Sequence, residues 1–236
     1  MIKWRIHHLP ETVSTNRDAL VGDHGDVYTA DFQSSGRGRL GHRWISPPKV
    51  NLLMSVVLSV EGMRADEVCT LPLVMGLAVA NGIADVVCGA RKLSPMLKWP
   101  NDVLIDGRKT AGILCERHGD KVIVGVGVNV RAQRFPPEIS ALAGFLGDIK
   151  VDAVRDAVLE RIGELYGKWM EKGFAALYPE IVAADWLKGR MVSVCQTDDD
   201  AEPITGKSSG IAPDGSLEVA GRWVFAGEAH VKEVGE

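Results

Sequence analysis

Nine consecutive residues, Val122-Ile-Val-Gly-Val-Gly-Val-Asn-Val130, place valine at every second position. Side chains of a strand point alternately to its two faces, so this segment reads as a strand with one continuous valine face turned to a core. Its other face carries Ile123, Gly125, Gly127 and Asn129. Glycine inside a strand weakens it and packs nothing. Two on one face are therefore expected where another group approaches the backbone closely, either a tightly packed helix or a ligand.

The surrounding sequence extends the pattern. From Lys98 to Val130 short apolar runs alternate with turn signals at Asp106-Gly107 and His118-Gly119-Asp120, which predicts an antiparallel meander. A four-residue hairpin loop from Arg117 to Asp120 would set Gly112 opposite Gly125 and enlarge the bare patch. Lys109 follows the first turn and could reach over that patch as a point charge for a phosphate, although a single lysine after a turn is equally what an exposed surface position looks like.

Elsewhere the chain mixes both element types. Glu11–Leu20 reads as a short helix start ended by Gly22 and Gly25, and Val27–Phe32 and Asn51–Val60 read as strands. Leu71–Val87, with Pro72 in its first turn, has apolar residues at helical spacing. Val151, Val154, Val158, Ile162, Leu165, Tyr166 and Trp169 form one stripe along a helix of about five turns, at ~3.6 residues per turn. Beyond Leu187 the pieces become short and strand-like, with turns at Thr197–Ala201, Pro213-Asp-Gly215 and Ala220-Gly221, which predicts a small appended β-barrel. The expectation is an α+β protein with a main domain at 1–186 and a small one at 187–236.

A net charge of -4 argues against a surface built to neutralise nucleic-acid phosphates. Cysteines at 69, 88, 115 and 195 show neither CxxC pairing nor zinc-ligand spacing, so no disulfide framework and no metal-ligating residue is assigned. The N-terminus lacks a signal-peptide core, and no stretch is read as reaching the ~18 apolar residues of a membrane span. A cytoplasmic protein is expected.

The most informative stretch is Gln33-Ser-Ser-Gly-Arg-Gly-Arg-Leu-Gly-His-Arg-Trp44. Glycines expose successive N–H groups, and Arg37, Arg39 and Arg43 supply forked donors suited to carboxylate and phosphate oxygens, so the segment reads as an anion-binding loop rather than a plain solvated one. Gly36, Gly38 and Gly41 also match G-x-G-x-x-G, but Trp44-Ile-Ser-Pro-Pro48 follows instead of a helix. Gly206-Lys207-Ser208 lacks the first glycine of a phosphate-binding P-loop, since Ala201 occupies its place. In Lys98-Trp-Pro-Asn-Asp102, Asn101 and Asp102 are either turn residues or oxygen donors to a magnesium ion or a substrate amine.

These pieces, in this order, resemble the biotin protein ligase family. The motifs are Ser14-Thr-Asn16, Gln33 with Gly36-Arg-Gly-Arg39, Trp44-Ile-Ser-Pro47, Asn51-Leu, Lys98-Trp-Pro-Asn-Asp102, Arg108-Lys109 with Gly112-Ile-Leu114, and Gly125-Val-Gly-Val-Asn129. The resemblance implies a catalytic domain of the class II aminoacyl-tRNA synthetase type, with a mixed or antiparallel sheet flanked by helices, and a small SH3-like C-terminal domain. It puts Ser14, Thr15, Asn16 and Gln33 around the ureido ring of biotin, with Gly112, Ile113, Leu114, Gly125 and Gly127 shaping the pocket. Gly36, Arg37, Gly38 and Arg39, with Lys109, would cover the carboxylate. Arg37, Arg39, His42, Trp44, Asn101, Lys109 and Asn129 would face ATP, with Mg²⁺ on the phosphates.

The implied chemistry needs no protein nucleophile, because the carboxylate of biotin itself attacks the α-phosphate. Lys109 and Arg39 are expected to stabilise charge there, and Asp102 to accept the proton of the acceptor lysine. The implied acceptor is a biotin carboxyl carrier domain, with the ligase a monomer or homodimer.

Two positions depart from the pattern: His42 stands where arginine is common, and Pro48-Lys-Val50 replaces a usually Gly-containing link. The chain opens on the catalytic region, so the helix-turn-helix of some members, and with it repressor activity, is not expected. A lipoate or octanoate ligase and a non-catalytic biotin-binding sensor are the rival readings.

Overall fold

The computed structural model describes residues 2–87, 94–195 and 202–231. Cys88 and the whole of the expected turn at Thr197–Ala201 lie outside them.

The strands are β1 (Arg5–Thr12), β2 (Asp26–Gln33), β3 (Leu52–Ser59), β4 (Met96–Lys98), β5 (Asp102–Ile105), β6 (Arg108–His118) and β7 (Lys121–Val128), then β8 (Met191–Cys195), β9 (Ile204–Ile211), β10 (Leu217–Val219), β11 (Arg222–Val224) and β12 (Glu228–Val231). The helices are α1 (Thr15–Asp18), α2 (Ala65–Val68), α3 (Leu71–Val87), α4 (Val151–Lys172) and α5 (Tyr178–Ala183). The first seven strands form one mixed sheet in the order β1-β2-β3-β7-β6-β5-β4, parallel only between β1 and β2. The last five form a second, antiparallel sheet in the order β11-β10-β9-β8-β12. The α+β class and the antiparallel meander are as the sequence predicts.

The alternation in β7 decides how the first sheet is covered. Val122, Val124, Val126 and Val128 join Leu52, Met54, Val56 and Leu58 of β3 in a core completed by α3 and α4. The α4 stripe is buried as expected from Val154 to Trp169, in a helix of 22 residues, about six turns rather than five. The opposite face of the sheet has a small apolar cluster of Ala19, Val57 and Ile123 and is otherwise the floor of a cleft.

Three expectations change. β1 was not legible: its residues are mostly exposed, so it carries no alternation, and Pro10 is tolerated because the strand lies at a sheet edge. The run Ala65–Val87 does reach the length and apolarity of a membrane span, yet 72% of its most apolar window is buried inside the protein as core helix. The β6–β7 turn spans two residues rather than four, because Gly119 at φ +62° supplies the left-handed first central position of a tight hairpin turn. Gly112 accordingly faces Gly127, and Leu114 faces Gly125. Since this shift moves the register by two residues, every side chain keeps its face and the bare patch survives.

Candidate active site

The cleft on the glycine-bearing face encloses about 640 Å³. Two cross-strand rows make its floor: Leu53, Gly127 and Gly112; and Ser55, Gly125 and Leu114. The reason for the glycines is visible. A Cβ on Gly125 would overlap the Asn16 side-chain oxygen, and one on Gly127 would stand 2.5 Å from the Trp44 indole. Gly112 is covered by the same indole and by the Lys109 side chain, whose Nζ lies 3.6 Å from where its Cβ would be. Groups from two distant loops thus rest directly on the backbone.

One end of the cleft is small, polar and buried. Ser14, Thr15 and Asn16 open α1 and are almost fully enclosed. The Gln33 side-chain oxygen accepts from the Thr15 amide at 2.7 Å and from its hydroxyl at 3.0 Å. Ser55 Oγ lies 2.7 Å from Thr15 Oγ1 and 2.6 Å from Asn16 Oδ1. Two hydroxyl protons serve these three oxygen–oxygen contacts, so with Thr15 donating to Gln33 the Ser55 hydroxyl can donate to only one of its two partners, and the other keeps an acceptor site open to an outside N–H donor.

The other end is cationic. Lys98 and Asp102 are cross-strand partners, and Lys109 Nζ stands 2.7 Å from Asp102 Oδ1. That oxygen has no well-aligned hydrogen-bond donor despite the short ion-pair distance. Burial lowers the pKa of Lys98 from its ordinary value, with Asp102 opposing and Lys109 reinforcing the shift. Burial likewise lowers that of Arg39, opposed by Asp102 and Glu228. A cleft that desolvates two cations in this way favours an anionic ligand. Asn101 donates to the Ile113 carbonyl at 2.8 Å and offers its oxygen to Arg39 Nη1 at 3.4 Å, fixing the end of the pentapeptide against β6. Asn129 lines the cleft as part of a buried amide network with Asn51 and Gln133.

The Gly–Arg loop closes the roof. It folds on itself through Gly38 N to His42 O, His42 N to Arg39 O and Trp44 N to Gly36 O. Gly36 is set back from the cleft lining and serves this internal folding, its backbone pressed against the Trp44 carbonyl. Arg37 pairs with Glu116 at 3.1 Å, Arg39 donates to the Gly227 carbonyl at 3.2 Å, and Arg43 donates to the Ser34 carbonyl at 3.1 Å. His42 Nε2 lies 3.3 Å from Glu228 Oε2. Trp44 Nε1 is a buried donor with no acceptor among the described residues, in a side chain that lines the cleft.

Apart from Gly36, every residue assigned from the sequence to biotin, ATP or catalysis lines this one cleft. Several that line or support it were not singled out: Lys98, Ser55, Glu116, the segment Phe135–Ala143, and Glu228, His230 and Val231 of the second sheet. Only Lys98 left a signal, as the first residue of the pentapeptide. Desolvation pushes the Cys115 thiol up to about 12, which rules it out as a nucleophile at neutral pH. Among the described residues no group of three or more His, Cys, Asp or Glu is placed to hold a metal ion.

With this geometry in view, the chain was compared with known proteins. The family model described as Biotin/lipoate A/B protein ligase family matches residues 13–131. The chain is 36% identical over 157 residues to a biotin--[acetyl-CoA-carboxylase] ligase of Mycobacterium tuberculosis, covering 64% of this chain and 58% of that one. It is 32% identical over 165 residues to the bifunctional ligase/repressor BirA of Bacillus spizizenii, covering 65% and 49%. The matches thus span about half the length of these curated relatives. A structure of biotin protein ligase from Aquifex aeolicus in complex with biotin and ATP superposes with a TM-score of 0.83 at 30% identity, covering 96% of this chain and 98% of that chain.

Proposed function

The chain belongs to the biotin/lipoate A/B protein ligase family, and from that premise we propose that it activates biotin with ATP and transfers the biotinyl group to a lysine of a biotin carboxyl carrier domain. The observation that carries this reading is the two-ended cleft. A buried pocket of hydroxyl and amide groups on a glycine floor adjoins a cluster of Lys98, Lys109 and Arg39 under a closed Gly–Arg loop.

Biotin's ureido ring enters the polar end among Ser14, Thr15, Asn16 and Gln33, where its N–H groups supply the missing donor. Gly112, Ile113, Leu114 and Gly125 shape the space, and Trp44 stands over Gly127 as a wall. The carboxylate then points to Arg37, Arg39 and Lys109. A carboxylate oxygen attacks the α-phosphorus, a P–O bond forms, and the bond to pyrophosphate breaks. No protein group has to donate or accept a proton in this step, so catalysis consists of holding two anions together and neutralising their charge.

Lys109, resting against Asp102 and above Gly112, is placed to exchange its carboxylate partner for a phosphate oxygen. Trp44, His42, Asn101 and Asn129 complete the nucleotide side. Magnesium would come on the nucleotide's phosphates and neutralise part of their charge, with Asn101 and Asp102 among the oxygen donors the cleft offers. In the second step the acceptor amine attacks the acyl carbon and AMP leaves. Asp102, 12% exposed, takes the amine's proton.

We read residues 1–186 as a catalytic domain of the class II aminoacyl-tRNA synthetase type and 187–236 as an SH3-like domain. The compact five-stranded antiparallel sheet supports the second assignment.

A single assay tests the function: ATP–pyrophosphate exchange with biotin, lipoate and octanoate offered in turn. Exchange with biotin alone is expected. Exchange supported by lipoate or octanoate but not by biotin would overturn the substrate, and biotin binding with neither exchange nor transfer to a carrier domain would make the protein a sensor.

A further inference from the structure

The geometry points to Glu116 as a positioning residue that ties the occupied vitamin pocket to the closed Gly–Arg loop, an inference that rests on the biotin-ligase reading. Glu116 projects from β6 on the cleft face, beside Ile123, with its side chain 23% exposed. One carboxylate oxygen, Oε2, accepts from Asn16 Nδ2 at 2.7 Å. The other, Oε1, stands 3.1 Å from Arg37 Nη2. Asn16 is 5% exposed and lies against Gly125, so it belongs to the innermost part of the polar pocket. Arg37 belongs to the roof.

A carboxylate offers only acceptors, and this fixes both neighbours. It forces the Asn16 amide to turn Nδ2 toward Glu116 and Oδ1 toward Ser55, the orientation in which Oδ1 can receive a ligand N–H. It also gives the first arginine of the loop an anionic anchor on the sheet. The remaining ties of the loop run to other places: Arg39 to Asn101 and the Gly227 carbonyl, His42 to Glu228, and Arg43 to the Ser34 carbonyl. Among the described residues, Arg37–Glu116 is the tie that ends on a side chain already bonded to the polar pocket. A ligand that orders Asn16 therefore orders Glu116, and through it the roof. The expected consequence is retention of the reactive adenylate.

The test is the rate at which preformed biotinyl-adenylate leaves the full-length enzyme, followed in Glu116→Gln, Arg37→Ala and the double variant. Glutamine keeps an oxygen for Asn16 but turns an N–H₂ toward Arg37, so it breaks only the roof contact. A half-exposed charge pair of this kind is worth a few-fold in rate. Glu116→Gln is expected to release adenylate about fivefold faster and Arg37→Ala, which also loses its contact to the ligand, faster still, with the double variant no faster than Arg37→Ala. Biotin affinity should stay near wild type in Glu116→Gln and fall roughly tenfold in Glu116→Ala, where buried Asn16 loses its acceptor. A merely structural Glu116 would lower the melting temperature without this split between affinity and release. Unchanged release in Glu116→Gln, or effects that multiply in the double variant, overturns the coupling alone. A wild-type enzyme that forms no adenylate from biotin and ATP overturns the ligase reading and this inference with it.

Discussion

The two faces of the run Val122–Val130 are built from the same nine residues and answer to different rules. On the valine face, each side chain is buried against α3, α4 and β3, and many neighbours share the packing. On the glycine face, Gly125 and Gly127 are matched to single partners, Asn16 and Trp44, that arrive from loops far away in the sequence. The first face is redundant and local in its information. The second depends on a few long-range coincidences, so equal changes in volume should have unequal effects on the two.

The largest effect is expected at the floor. Gly125→Ala and Gly127→Ala place a methyl group where Asn16 or Trp44 now lies, and displacing such a group by about 1 Å can cost on the order of a hundredfold in rate. Biotin-dependent exchange measures this, and a variant with wild-type exchange would break the contrast between the faces. Next comes Lys109→Ala, expected to slow exchange at least tenfold, ~1.4 kcal/mol of barrier, because the cation over Gly112 is lost. Asp102→Asn separates the two half-reactions: transfer from preformed adenylate should fall by at least about tenfold, because the amide cannot take up the amine's proton. Equal transfer in the variant would remove Asp102 from the second step.

On the valine face, Val124→Ala is expected to cost about 2 kcal/mol of stability, read from the denaturation midpoint, while leaving the KM for biotin unchanged. Smallest is Gly119→Ala at the turn between β6 and β7. With φ +62° and no atom within 4 Å of the added methyl, it should cost about 1 kcal/mol of stability and no activity.

This division also explains what could be read before any coordinates. The valine alternation, the α3 and α4 stripes and the turn glycines act over a few residues, so they announce themselves in the sequence. The Gly–Arg loop and Lys98–Asp102 were visible because clustered charge and glycine are poor packing material. Glu116 was silent: its partner Asn16 is 100 residues away, and a single glutamate late in a strand looks like a surface residue. The hairpin register was missed by two residues because loop length rests on the conformation of Gly119, which composition does not reveal. Glu228 and His230 gave no sign, since their place at the cleft depends on how the second sheet meets the loop.

The bond from Arg39 to the Gly227 carbonyl has an evolutionary consequence. A main-chain oxygen exists whatever residue occupies position 227, so substitution there cannot delete the acceptor; only a shift in the path of the strand can. Selection would then act on where this part of the tail runs rather than on which letter it carries. A search for invariant residues would credit the roof to its arginines and overlook the distant segment that completes it.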